Sequence, residues 1–317
     1  MLLAQRLFRL FLFSLICAWP MQAMAADWPA RVGVSVSSVE NPYFVALTRG
    51  AQERVKQINP AAKLIVRSSD YSVDLQTKQI YQLLEMKIDL LLIAASDEHK
   101  FAQVLARARQ QGVIVVGVDV RADGAMQTVL TNNLQAGQLV CDFLARSIQG
   151  KGRVLIQNGP QVSSVLDRVA GCKAAWAQYP GIELVSDKEN GEGSVWGGHT
   201  AMKAALGSYG AVDAVFAIND RQALGTLEAL KKAGHGKTKI GSVDGSQAVV
   251  NAILAGSQII VSASQSPESM GRKGIDLGVA LHQGEKADTE LVLLSTTLVN
   301  KDNAATFHAW DANRPGK

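Results

Sequence analysis

The sequence predicts an α/β protein built as two similar, doubly wound parallel-sheet lobes joined by a three-strand hinge. Short apolar, β-branched runs alternate with helical patterns almost throughout. Such alternation implies a parallel sheet with helices on both faces. The alternation runs once to about residue 131 and then restarts, which makes two units of similar size. No Pro/Gly/Ser-rich linker divides them, and the joins look like short crossings near 131–132, 265–266 and 295–296.

The first unit reads as strands at 32–36, 63–67, 90–93, 113–118 and 128–130, with helices at 44–59, 75–86 and 102–111. The strands are buried on both faces and so read as continuous apolar runs. Gly112 ends the third helix, as a glycine past a last turn does. The second unit has helices at 133–147, 163–178, 197–206, 222–233 and 247–255, and strands at 153–157, 182–186, 214–218, 239–243 and 259–263. A helix at 269–283 and a strand at 290–294 complete the secondary structure. The expected division is an N-terminal lobe of 31–131 plus 266–294, and a C-terminal lobe of 132–265 plus 295–303. Residues 304–317 are expected to be a surface tail.

The first 25 residues read as a secretory signal peptide. Arg6 and Arg9 precede a short apolar run, and Ala23-Met24-Ala25 is a small-x-small cleavage site. The run is too short for a permanent membrane span. Lipidation at Cys17 is disfavoured, because Leu15-Ile16 lacks the small residue that such processing prefers.

The whole chain has 32 basic and 28 acidic residues, and removing Arg6 and Arg9 leaves 30 against 28. That small, dispersed excess gives no reason to invoke nucleic acid or an anionic membrane. Cys141 and Cys172 survive cleavage, each in a predicted helix. An oxidising compartment permits a disulfide, but two separate buried thiols are the expected state. The five histidines have no metal-ligand spacing. No nucleophile sits in a recognisable elbow, and the Gly-rich stretch at 191–199 lacks the Lys-Ser/Thr of a phosphate loop. No cofactor, metal or catalytic residue is expected.

In open parallel sheets, ligands bind past the carboxyl ends of the strands. Ser37 and Ser38 follow the first strand, and Asp119 follows the run VIVVGV. Asn219 and Asp220 follow AVFAI, Asp244 follows KIGSV, and Gln265 follows IIVSAS. Such side chains present planar sets of donors and acceptors that suit vicinal hydroxyls. Taken singly they are equally ordinary turn-formers and helix caps, and Asp220 is read as the N-cap of the helix from Gln222. The turn after the first strand adds Asn41-Pro42-Tyr43-Phe44. Proline suits a first helical position. The two rings could cover the apolar face of a polyhydroxylated ligand, or be core residues of an amphipathic helix.

The stretch RVGVSVSSVENPYFVALTRGAQ resembles the start of mature periplasmic sugar-binding proteins of the ribose/galactose type, type I periplasmic binding proteins. The resemblance extends to VFAINDRQALGTLEAL, IGSVDGS, SQSPESMG and VVGVDV and covers nearly all the mature chain up to about Asn303. It implies ligand contacts from Asn41, Tyr43, Phe44, Asp119, Asn219, Asp244 and Gln265, to which the position past the first strand adds Ser37. It also marks departures. Val120 and Ala94 stand where the ribose pattern has Arg and Asn, with Arg121 one place on. Leu166 lies where another Arg is expected, and Arg168 is the nearest candidate. An aromatic is expected near Gly193, and Trp196 comes three residues late.

The function this implies is that of a periplasmic, monomeric solute-binding protein. It would capture a small neutral carbohydrate or polyol between closing lobes and deliver it to the membrane permease of an ABC importer. The altered positions suggest that ribose binds poorly. A sensory subunit docking onto a sensor kinase or chemoreceptor is the alternative. A transcription regulator sharing this core is strongly disfavoured by the expected leader and by the lack of an N-terminal helix-turn-helix. An enzyme is the least favoured class.

Overall fold

The structure is a computed structural model that describes residues 28–285 and 289–312. The expected signal peptide lies outside the described residues. The first unit runs β1 (Arg31–Val36), α1 (Pro42–Ile58), β2 (Lys63–Ser68), α2 (Val73–Glu85), β3 (Leu90–Ile93), α3 (Ala102–Gln110), β4 (Ile114–Val118) and β5 (Gln127–Thr131). The second unit opens with α4 (Asn133–Ser147), β6 (Lys151–Asn158), α5 (Ser163–Trp176) and β7 (Gly181–Asn190). It continues with α6 (Val195–Tyr209), β8 (Ala214–Ala217), α7 (Asp220–Lys232), β9 (Lys239–Asp244), α8 (Gln247–Leu254) and β10 (Ile259–Ser264). The chain then passes through α9 (Pro267–His282), β11 (Leu291–Leu294) and β12 (Leu298–Asn300).

Among the described residues two six-stranded sheets result, ordered β11-β5-β4-β3-β1-β2 and β12-β10-β9-β8-β6-β7. Neighbours are parallel except β12, which runs antiparallel to β10. The central strands are fully buried, as their unbroken apolar sequences require. Among the described residues the chain passes between the sheets at β5–α4, β10–α9 and β11–β12. One apolar cluster contains residues of both units, including Val120 and Ala122 from one and Val162 and Val165 from the other.

Four expectations are corrected. The strand at 290–294 does not complete the secondary structure, because β12 follows it. Its three residues are too few to show a period, and only pairing with β10 reveals it. Cys141 and Cys172 are not separate thiols but a disulfide, with their Cα atoms 5.0 Å apart. Glycines bring the helices that carry them together: a Cβ on Gly137 of α4 would meet Arg168 O at 2.0 Å, and one on Gly171 of α5 would meet Leu134 O at 2.1 Å.

Nor does Asp220 cap α7. Asn219 does, its side chain accepting from Gln222 N at 2.9 Å. Asp220 is drawn inward by donors from neighbouring elements: the Ser242 and Ser262 hydroxyls, and both the N–H and hydroxyl of Ser246. Finally, residues 304–312 are not a surface extension. Ala304 and Ala309 are buried, and Trp310 Nε1 donates to Asp244 O at 3.0 Å. Two alanines and an indole that bury apolar surface against the body hold the segment down.

Candidate ligand site

The carboxyl ends of both sheets face one cleft. Ser37, Asn41, Tyr43, Phe44, Asp119, Arg168, Asn219, Asp244 and Gln265, the nine residues nominated from sequence, all line it. Each is placed by local structure. Asn41 is the N-cap of α1, accepting from Tyr43 N at 3.1 Å, and Pro42 occupies the first turn, where its missing N–H costs nothing. The cap aims the α1 mouth at the cleft. Tyr43 and Phe44 are buried and packed edge to face, with ring centroids 5.4 Å apart. The core reading and the ligand reading of these rings therefore meet in the same two side chains.

Asp119 directly follows β4 and Asp244 ends β9, with φ of +67° and +142°. Side chains seldom adopt this half of backbone space, and such conformations cluster at functional sites. Burial raises the Asp119 carboxyl, opposed by Arg168 and by a hydrogen bond from Tyr43. Burial, followed by the nearby Asp119 carboxylate, pushes the Tyr43 hydroxyl well above its ordinary value. Asp244 is pushed up to about 7, first by burial and then by the neighbouring Asp220 charge, against the pull of Arg168. Burial also raises the Asp220 carboxyl, opposed by the hydrogen bonds from Ser242, Ser262 and Ser246 that favour its ionised form.

Gln265 ties the crossings together. Its Oε1 accepts from Thr131 Oγ1 at 2.7 Å and Tyr43 Oη at 3.2 Å, while its Nε2 donates to Asp244 Oδ1 at 2.8 Å. Arg168, 5% exposed, spends Nε on Asn133 Oδ1 and Nη1 on Ile218 O. Those bonds fix the guanidinium plane at the cleft wall. Asn219 donates to Gly193 O at 3.1 Å as well as capping α7, so much of its amide is already committed.

The departures from the ribose pattern resolve unevenly. Val120 lines the cleft as an apolar wall. Arg168 does reach the site, whereas Leu166 points outward at 44% exposure. Trp196 is 76% exposed and does not line the cleft; Gly193 does. Arg121 turns away and pairs with Glu98 and, across the cleft, with Asp167 at 2.6 Å. Its backbone N–H also donates to Ser163 Oγ at 2.8 Å, so the two lobes are held against each other at the cleft edge.

Sequence reading missed Tyr71, a lining residue at φ +61° beyond β2. Its hydroxyl is raised to about 12, chiefly by burial, and Asn41 lies beside it. The strand-end rule applied to β2 would have found it. It also missed Ser164 at the start of α5 and the apolar lining from Pro160, Val162, Val165 and Ile218. All but Ile218 come from a loop and a helix start, which carry no strand-end signal; Ile218 directly follows β8 but is apolar and reads as part of the strand.

Two lobes, a cleft at the strand ends and polar groups converging from both sides define a ligand-binding protein of the hinged, two-lobe class. The family model for a periplasmic binding protein domain matches residues 32–286, and the chain belongs to that family. The chain is 28% identical over 264 residues to the ribose import binding protein of Bacillus subtilis, covering 80% of this chain and 82% of that protein. It is 26% identical over 281 residues to a xylitol-binding protein of Mycolicibacterium smegmatis, covering 86% and 78%. Among solved structures, it superposes with a TM-score of 0.80 on an ABC transporter solute-binding protein from Mycobacterium smegmatis with bound glycerol. That match is 28% identical and covers 87% of this chain and 96% of that one. These family members are binding proteins, and the family is periplasmic by its description.

Proposed function

We propose that this protein captures a small neutral carbohydrate or polyol between its lobes and delivers it to the membrane permease of an ABC importer, acting as a monomer after cleavage of residues 1–25. The observation that carries the reading is the convergence of Asp119, Arg168, Asn219, Asp244 and Gln265 on the cleft faced by Tyr43 and Phe44. Carboxylates, a guanidinium and amides supply hydroxyl partners, and the rings cover a C–H face. Relatives named for ribose and xylitol and a neighbour holding glycerol support a polyhydroxylated ligand. Val120 at the wall removes one expected cation, which favours ligands with fewer hydroxyls than a hexopyranose and disfavours phosphorylated or acidic sugars.

Calorimetry across ribose, xylitol, erythritol, glycerol and their phosphates tests the class. A neutral polyol should bind and ribose should bind poorly. Preference for a sugar phosphate would refute the reading. Asp119→Ala should weaken the best ligand at least tenfold, since a bond to a charged partner is worth about 1.5–3 kcal/mol. Solution scattering should show a smaller radius of gyration when ligand is added.

A further inference from the structure

The segment 307–311 fastens the loop that carries Asp244 at successive points. Trp310 Nε1 donates to Asp244 O at 3.0 Å. Phe307 lies against Gly245, where a Cβ would come within 3.3 Å of its ring. Asp311 Oδ1 accepts from Gln247 N at 2.7 Å. That bond caps α8, whose own N-cap, Ser246, makes no side-chain cap bond. The loop calls for such fastening, because Asp244 at φ +142° is followed by Gly245 at +67°. Surrounding contacts must over-determine a backbone of this kind for it to persist.

The same indole meets the other lobe. Its ring packs edge to face on Tyr43, with centroids 6.1 Å apart. Asp244 and Tyr43 both line the cleft, whereas Trp310 does not. One side chain behind the site therefore touches a cleft-lining residue from each lobe.

We propose that Trp310 is a positioning residue of the ligand site, setting the Asp244 carboxyl and the Tyr43 ring in the closed geometry without contacting ligand. The assignment rests on the reading of the cleft as a ligand site, and it extends the functional machinery past residue 286, where the family match ends. Trp310→Phe keeps a ring against Tyr43 and removes the N–H donor. Trp310→Ala removes both.

The test uses the full mature chain, first without ligand. Carbon-13 NMR follows the Asp244 carboxyl titration, and hydrogen exchange follows the amides of Gly245 and Ser246, which are bonded to Ser262 and Asp220. In Trp310→Phe these amides should exchange about fivefold faster, the loss expected for one hydrogen bond. The Asp244 midpoint should fall toward the ordinary carboxylate range as the group gains water, while amides in β6 and β8 keep their rates. Trp310→Ala should do both more strongly. Unchanged titration and exchange in both variants would overturn the proposal. So would equal acceleration across the whole lobe, which marks general destabilisation. A second arm titrates xylitol, whose dissociation constant should rise about fivefold in Trp310→Phe; unchanged affinity in both variants would also overturn it. If wild-type protein binds neither xylitol nor ribose, the carbohydrate reading suffers, and the ligand-free arm still decides whether Trp310 positions Asp244.

Discussion

The two lobes are closed by helix pairs of the same construction and different fastening. In the first, Gly50 of α1 faces Glu268 O and Gly271 of α9 faces Leu47 O, where added Cβ atoms would lie at 2.1 and 2.0 Å. In the second, Gly137 and Gly171 face Arg168 O and Leu134 O at 2.0 and 2.1 Å. Both pairs bring helix backbones into direct contact. Yet α1 and α9 are bridged by ion pairs: Arg54–Asp276 and Arg272–Glu53 are partly exposed, and Arg49 pairs with the buried Glu268. The α4–α5 pair carries the disulfide and the Trp176 Nε1 bond to Cys141 O at 2.9 Å. It also carries Arg168, held by Asn133 of the partner helix. The covalent fastening thus sits in the pair that orients a cleft-lining cation, where small shifts would misplace charge. Salt-sensitive bridges suffice in the other.

Breaking the disulfide should have the largest effect on this contrast. Its cysteines are 31 residues apart, and in the chain-entropy account a loop of that size is worth about 3–4 kcal/mol. Urea unfolding of Cys141→Ser with Cys172→Ser should show that loss; an unchanged midpoint would mean that the glycine contacts alone hold the pair. Next come the glycines themselves. Gly137→Ala and Gly271→Ala each force backbone apart and should each cost about 1–3 kcal/mol. Equal stability losses are expected, but only Gly137→Ala should also weaken ligand binding, because its Cβ strikes Arg168. Equal binding in the two variants would break the asymmetry.

A smaller effect concerns pH. Burial first, and then the neighbouring Asp220 charge, push the Asp244 carboxyl up to about 7, well above the ordinary carboxylate range. A raised folded value means that its contribution to stability is full below about pH 4 and is lost as pH rises through about 7. A hydroxyl donating to the ionised carboxylate reverses this. Binding should therefore release a proton and tighten as pH rises toward about 7, by up to about tenfold per unit. Calorimetry in buffers of different ionisation enthalpy measures the release, and no proton exchange would contradict it. The smallest effect is ionic. At about 1 M salt, where screening acts within about 3 Å, the partly exposed Arg54–Asp276 and Arg272–Glu53 pairs should lose no more than about 1 kcal/mol each. Amide exchange should quicken there and not in α4–α5.

Much of the site was legible because its signals are local. Residues just past β1, β4, β8, β9 and β10 face the cleft in any open parallel sheet, so Ser37, Asp119, Asn219, Asp244 and Gln265 could be nominated from strand ends alone. Asn41-Pro42 announces its own helix start. Arg168 needed the family resemblance, since nothing in its helix pattern sets it apart from Arg121. Arg121 was out of reach for a related reason. Its partners Glu98 and Asp167 belong to different lobes, and which arginine faces the cleft depends on where those carboxylates fall.

By itself the sequence determined the alternation of strand and helix, the two-unit plan and most of the polar cleft, because period, burial and strand-end position are written into neighbouring residues. Only the tertiary structure decided the Cys141–Cys172 bond, the inward turn of Asp220 and the seat of Trp310 behind Asp244. Each of these rests on a distance between segments remote in the chain. Such distances follow from how closely glycines let helices approach and from which donors a buried carboxylate finds, and no local pattern encodes them.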